Sequence, residues 1–176
     1  NARAGGQHDL PARFQLVAAM NPCTCGFLGD PRGDCGCSAE RVASYRGKVS
    51  GPLLDRVDLH VEVRRPRRSE LRDDRPGGEP SRRVAARVAR ARRRQLRRSG
   101  ACNARLEGAR LAADCAMASE PLELLENAVD KFNLSARAYQ RVRRVARTIA
   151  DLAGAEDIAV AHIAEALSLR QLDKKR

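Results

Sequence analysis

The chain has 176 residues, 43% of them hydrophobic and 32% charged, an ordinary composition for a folded protein with room for one medium domain or two small ones. Aromatic residues make up 3% and Trp is absent, which excludes an aromatic-rich sandwich and favours closely packed helices built on Ala, Val, Leu and Ile. Thirty-four Lys and Arg against 22 Asp and Glu leave a net charge of +12, which attracts nucleic acid or nucleotide phosphates; with no apolar run near membrane-spanning length and no signal peptide, no membrane partner is expected and the compartment is cytoplasmic.

Asn1-Ala2 matches the remnant of a cleaved expression tag, and residues 1–13 are a loose polar lead-in whose His8 is solvated. From Phe14, the apolar run Leu16-Val17-Ala18-Ala19-Met20 ends at Asn21-Pro22. It reads as a buried strand, stopped by a proline that lacks an amide donor. Ligands gather where the strands of open α/β sheets end, which places Asn21 at a ligand-facing edge; on its residues alone it is a turn former. Cys23-Thr24-Cys25 and Cys35-Gly36-Cys37 form two CxC pairs around a loop rich in Gly, Asp and Pro. Four thiolates satisfy a tetrahedral Zn²⁺ completely, so zinc held by Cys23, Cys25, Cys35 and Cys37 would be structural. One intervening residue, in place of the commoner two, leaves two disulfides or reduced thiols packed in a loop as alternatives. Zinc ranks first, because clustered thiols in a reducing compartment are metal ligands before they are disulfides.

Ser38 caps a short helix through Val42 and Tyr45 that breaks at Gly47. Gly47-Lys48 is not a phosphate loop, since Val42 stands where the first glycine is required and Val49 where Ser or Thr is required. After Gly51-Pro52-Leu53-Leu54-Asp55-Arg56, Val57, Leu59, Val61 and Val63 alternate with Asp58, His60 and Glu62, which predicts a strand with a polar face on which His60 is solvated. Taken alone, Arg56 is a surface residue paired with Asp55 or Asp58. Residues 64–80, with three prolines and two glycines among mixed charges, read as a linker.

Residues 81–100 carry a dense arginine run, with Ser81 as cap, Gly100 as stop and a narrow apolar stripe of Val84, Val88 and Ala91. Such a face is ordinarily solvated, and it is also able to hold DNA phosphates without reading sequence. A loop and a short helix follow over 102–117, with Cys102 and Cys115 as buried free thiols. Three helices complete the chain. The first, 120–132, has Pro121 in its opening turn and Leu122, Leu125 and Val129 on one side. Ser135 caps the second, with Leu134 and Tyr139 as a hydrophobic staple and Ala138, Val142, Val145, Ile149 and Leu152 as its core stripe. Arg137, Arg141 and Arg144 occupy another, solvated face. Gly154 ends this helix, and 160–172 forms the last, with Ile163, Ala164 and Leu167 inward, His162 at the surface and Lys174–Arg176 as a frayed tail.

The segments AAMNPC, the cysteine loop, SGPLLDRVDLHVEV and LSARAYQRVRRVARTIADLAG together resemble the Mg-chelatase-like AAA+ ATPases of the ComM/YifB type, from about Phe14 onward with the arginine-rich middle excepted. The resemblance implies an α/β fragment, the last strands of an AAA+ core, over 14–66 with the cysteine loop at 22–37. A linker at 67–80 and an all-α lid domain over 81–176 would follow, mostly helical overall. It further implies that Asn21 is sensor 1, positioning the water that attacks the γ-phosphate. Arg56 would be the arginine finger, reaching into a neighbouring subunit's nucleotide site, and Arg137 sensor 2, contacting the γ-phosphate. The implied cofactors are ATP and Mg²⁺, and the implied partners are copies of the same protein in a hexameric ring, and DNA. The sequence contains no Walker A or Walker B motif, which the resemblance places upstream. A full-length protein of this kind would be an ATP-driven motor, a branch-migration helicase in recombination or transformation, and this chain alone would be inactive. The reading from another class is a stand-alone, zinc-stabilised nucleic-acid-binding module with the arginine helix as its contact surface.

Overall fold

The computed structural model describes residues 2–3, 6–7, 14–31, 33–63, 65–66, 68, 70–72 and 78–170, and His8, Leu172 and the 174–176 tail lie outside them. The chain divides into two compact units, 1–48 and 49–176.

In the first unit, β1 (Ala2–Arg3) pairs antiparallel with β2 (Gly6–Gln7). The run expected as a buried strand is neither buried nor a strand. Phe14–Met20 has no regular structure and all its side chains are exposed, Val17 by 85%. Strand backbone needs partners for its N–H and C=O groups, and a core strand needs cover on both faces. The described residues supply neither. The helix α1 (Ala39–Gly47) forms as expected: Ser38 Oγ accepts from the Arg41 N–H at 3.3 Å, and Val42 and Tyr45 are half-buried. Among the described residues of this unit only Cys23 is buried.

The second unit is helical. After α2 (Gly51–Arg56), capped by Ser50 with Pro52 in its first turn, residues 57–63 form only one bridge, His60 to Arg170, where a strand was expected. The long α3 (Ser81–Ser99) starts on Ser81 itself, with Pro80 in the cap position and no side-chain cap bond, so Ser81 is not the N-cap. Gly100 ends it in the left-handed region at φ 68°, where a side chain would be strained. A 3-10 turn at Asn103–Arg105 and α4 (Gly108–Asp114) lead to α5 (Ser119–Phe132), α6 (Ala136–Ala153) and α7 (Val160–Ser168).

The core lies where α5 and α6 close on α7. The buried face of α6 is Ala138, Val142, Ala146 and Ala150, so the expected stripe is rotated: Val145, Ile149 and Leu152 are only half-buried. Alanines let neighbouring helices approach the axis closely, and the longer side chains reach round from the flanks. Leu125 from α5 and Ile163 and Leu167 from α7 fill the space, each burial contributing about 1.5–3 kcal/mol. Ala164 points out and Ala166 in, a correction to the expected face of α7, which also stops at Ser168 short of Leu172. Leu134 and Tyr139 pack at the core's edge beside the Ser135 cap. Among the described residues no helix is long and apolar enough to cross a membrane.

Candidate functional site

The cysteine loop turns at Gly26 and Gly29, both in the left-handed region (φ 84° and 82°), and thereby brings its two CxC pairs together. The Sγ atoms of Cys23, Cys25, Cys35 and Cys37 all lie within 4.8 Å of one another. Cys23 is 3.3 Å from Cys25 and 3.8 Å from Cys35, and Cys25 is 3.6 Å from Cys35. A tetrahedron with Zn–S bonds of about 2.3 Å has edges of about 3.8 Å, so the four sulfurs fit a closed tetrahedral metal centre. All six cysteines are free thiols in the structure. Burial opposes ionisation of Cys23, but hydrogen bonds from Cys25, the Leu28 and Cys25 backbone and Cys35 outweigh it and lower this thiol to about 6. Cys37 is also lowered, first by the Thr24 hydroxyl. At Cys25 the Phe27 backbone favours the thiolate, but giving protons to Cys23 and Cys37 outweighs it and pushes the thiol up to about 12. The cluster thus sheds its first protons easily, as metal uptake requires.

Asn21 is exposed and sits outside regular structure, next to Pro22. The Pro22 carbonyl accepts from Arg46 Nε of α1 at 3.2 Å, which ties the start of the cysteine loop to that helix.

Arg56 and Arg137 both belong to the helical unit and both are exposed. The structure brings the end of α2, where Arg56 sits, to the start of α6, where Arg137 sits. Ser135 Oγ, which accepts from the Ala138 N–H to cap α6, also donates to Asp55 Oδ1 at 2.9 Å. Arg141 bonds Asp58, and Arg170 donates to the Val57 carbonyl at 3.0 Å while lying 3.8 Å from Asp55. Both acids that the sequence offered to Arg56 therefore have other partners, and Arg56 is not the paired surface residue that its neighbours suggested. His60, expected to be solvated, is 6% exposed, and its N–H donates to the Leu169 carbonyl at 2.6 Å. Arg141 and Arg144 are likewise not a solvated face: both are half-buried, and Arg144 Nε donates to the Leu106 carbonyl at 2.9 Å. His162 accepts the Ala159 N–H through Nδ1 at 3.0 Å and so caps α7.

One buried network escaped the sequence reading. Asp151 of α6 receives a fork from Arg98 of α3 (2.8 and 3.0 Å), the Asn103 amide (2.8 Å) and Arg147 (3.3 Å). Burial alone would raise the Asp151 carboxyl, but the Arg98 and Asn103 hydrogen bonds and the Arg147 charge hold it below the usual carboxylate range. Desolvation works against the Arg98 charge, yet the Asp151 hydrogen bond prevails and raises its guanidinium. The only sequence signal was Arg147 and Asp151 at helical i,i+4 spacing; the partner from α3 is 53 residues away. Cys115 is buried as expected, and burial pushes its thiol up to about 11; Cys102 is half-buried.

Comparison with known proteins covers both units. Residues 2–71 match the family model of magnesium chelatase, subunit ChlI, and residues 78–170 that of magnesium chelatase, subunit ChlI C-terminal. The chain is 39% identical over 171 residues to competence protein ComM of Haemophilus influenzae, covering 97% of this chain and 33% of that protein. It is 41% identical over 173 residues to YifB of Salmonella typhimurium, covering 98% and 34%. It is also 41% identical to Rv2897c of Mycobacterium tuberculosis, covering 99% and 35%. The chain thus spans about a third of the length of the curated relatives it matches. With both family models fitted end to end and these relatives aligned across nearly all of it, the chain belongs to the magnesium-chelatase-like family of the ComM/YifB type.

Proposed function

We propose that this chain is the C-terminal portion of an AAA+ ATPase, with the end of the core over 14–66, a linker over 67–80 and the lid over 81–176. In this reading the full-length protein is a hexameric, ATP-driven motor that acts on DNA, a branch-migration helicase in recombination or transformation. Asn21 serves as sensor 1, Arg56 as the arginine finger and Arg137 as sensor 2. The observation that carries the reading is the junction at Asp55 and Ser135, which ties the end of α2 to the start of α6 while Arg56 and Arg137 remain exposed. A guanidinium that must neutralise charge on a neighbour's phosphoryl group has to be held by its helix yet be free of local acids. Asp55 and Asp58 meet that condition by pairing elsewhere. ATP and Mg²⁺ would supply the transferable phosphoryl group. Asn21 would orient water through its amide, and Arg56 and Arg137 would hold phosphate oxygens.

The four-cysteine centre would hold Zn²⁺ as a structural ion, since its four thiols leave no open coordination position. In the full-length protein, Arg56→Ala is expected to lower ATP turnover by about a thousandfold while leaving nucleotide affinity within about threefold. Turnover within tenfold of the parent would remove the finger assignment.

A further inference from the structure

We propose that the outward face of α3 is a nucleic-acid backbone contact surface, formed by Arg83, Arg90, Arg93 and Arg97 with Arg82 at its edge. Nine arginines and no acidic residue lie on this helix. The structure separates them into two sets with different work. Arg94 donates to the Ala155 carbonyl at 3.2 Å and Arg98 grips Asp151, on the side where Ala91 and Gln95 are buried. Arg87 pairs with Glu79 at 3.0 Å. Arg82, Arg83, Arg90, Arg92, Arg93 and Arg97 are exposed, and among the described residues none of their side chains has a hydrogen bond or ion pair.

At 3.6 residues per turn, Arg82, Arg83, Arg90, Arg93 and Arg97 fall within an arc of about 100° facing away from the packed side, with Arg92 outside it, and Arg83 to Arg97 spans about 21 Å along the axis. A linear polyanion is the ligand that matches such a row, since duplex DNA offers one negative charge per roughly 1.7 Å. An acidic protein surface fits less well. A protein interface wants an apolar centre, and the arc carries only Ala86 between its arginines. Anchoring matters too: Arg94 and Arg98 fasten the helix from behind, so the row is presented in an already ordered form. The contact is with phosphates, so it orients a strand and does not read its sequence. This inference rests on DNA being the partner proposed above and names where this chain touches it.

The test uses this chain without nucleotide, so that its failure is separable from failure of the Arg56 turnover test. Binding to a 20-bp duplex is measured across a salt series, for the parent, for R83Q/R90Q/R93Q/R97Q, and for a matched control, R41Q/K48Q/R72Q/R105Q, which removes the same charge from other exposed sites. The row variant is expected to lose at least tenfold in affinity and to flatten the slope of log K against log salt by about 3.6, as roughly 0.9 for each of the four lost phosphate contacts requires. The control should keep its slope, and two duplexes of unrelated sequence should bind alike. R90Q alone should flatten the slope by about 1, which keeps the test sound should the fourfold variant fold poorly. Equal losses in row and control variants, no duplex binding by the parent, or polyglutamate binding as tight as the duplex would each overturn the assignment.

Discussion

The cysteine-loop unit and the helical unit solve the problem of holding a chain together in different ways. Among its described residues the first buries only Cys23, leaves Phe14–Met20 in solvent and draws four thiols to one point. The second buries a continuous apolar cluster between α5, α6 and α7 and fastens α3 to it through Asp151. Helices satisfy their own backbone and need only one covered face, whereas an apolar run meant for a sheet has no local way to satisfy itself. The order of the helical unit should therefore be its own, and that of the cysteine loop should come from a metal.

The sharpest break of this comparison is metal removal. Structural zinc in small domains contributes about 10–16 kcal/mol, so a strong chelator, or Cys35→Ser, should release about one Zn²⁺ per chain and unprotect the amides of 23–47 in hydrogen exchange. The amides of α6 should stay protected; their loss would show that the units do not stand apart. Leu125→Ala is the reverse experiment. Truncating this fully buried side chain should cost about 3–4 kcal/mol in urea denaturation of the helical unit and leave zinc content unchanged.

Asp151→Asn comes next, at about 3 kcal/mol, because it leaves the Arg98 fork without its anion. Its pH dependence has a definite sign. The folded carboxyl lies below its unfolded value, so the stabilisation is complete above the unfolded value of about 3.9 and is lost as pH falls through the folded one. The stability gap between parent and variant should thus be flat near neutrality and shrink in acid. The smallest expected effect is Ser135→Ala, about 1 kcal/mol for the lost cap, read as a shift in melting temperature. In the full-length protein it should also lower turnover if the Asp55 junction orients Arg56.

Much was legible in the chain itself. The caps at Ser38 and Ser135, the stops at Gly100 and Gly154, and the four-thiol cluster are local matters of spacing and backbone angle, and the structure has them where the residues place them. The two apolar runs misled, because alternation and hydrophobicity report a preference for cover and not its presence. The arginines misled for another reason. Composition treats Arg94, Arg98, Arg141, Arg144 and Arg147 as equals of Arg90 and Arg93, although their partners lie as far as 83 residues away.

By itself, then, the sequence determined most of the helices, the caps at Ser38 and Ser135, the stops at Gly100 and Gly154, the thiol cluster and the family, since each rests on residues close together or on a long match. Tertiary structure alone decided which charges are spent and which remain available. It is the meeting of α2 with α6 that occupies Asp55 and Asp58, and the docking of α3 that divides its arginines into anchors and an open row. Pairing between distant side chains depends on how helices pack, and no local pattern encodes it.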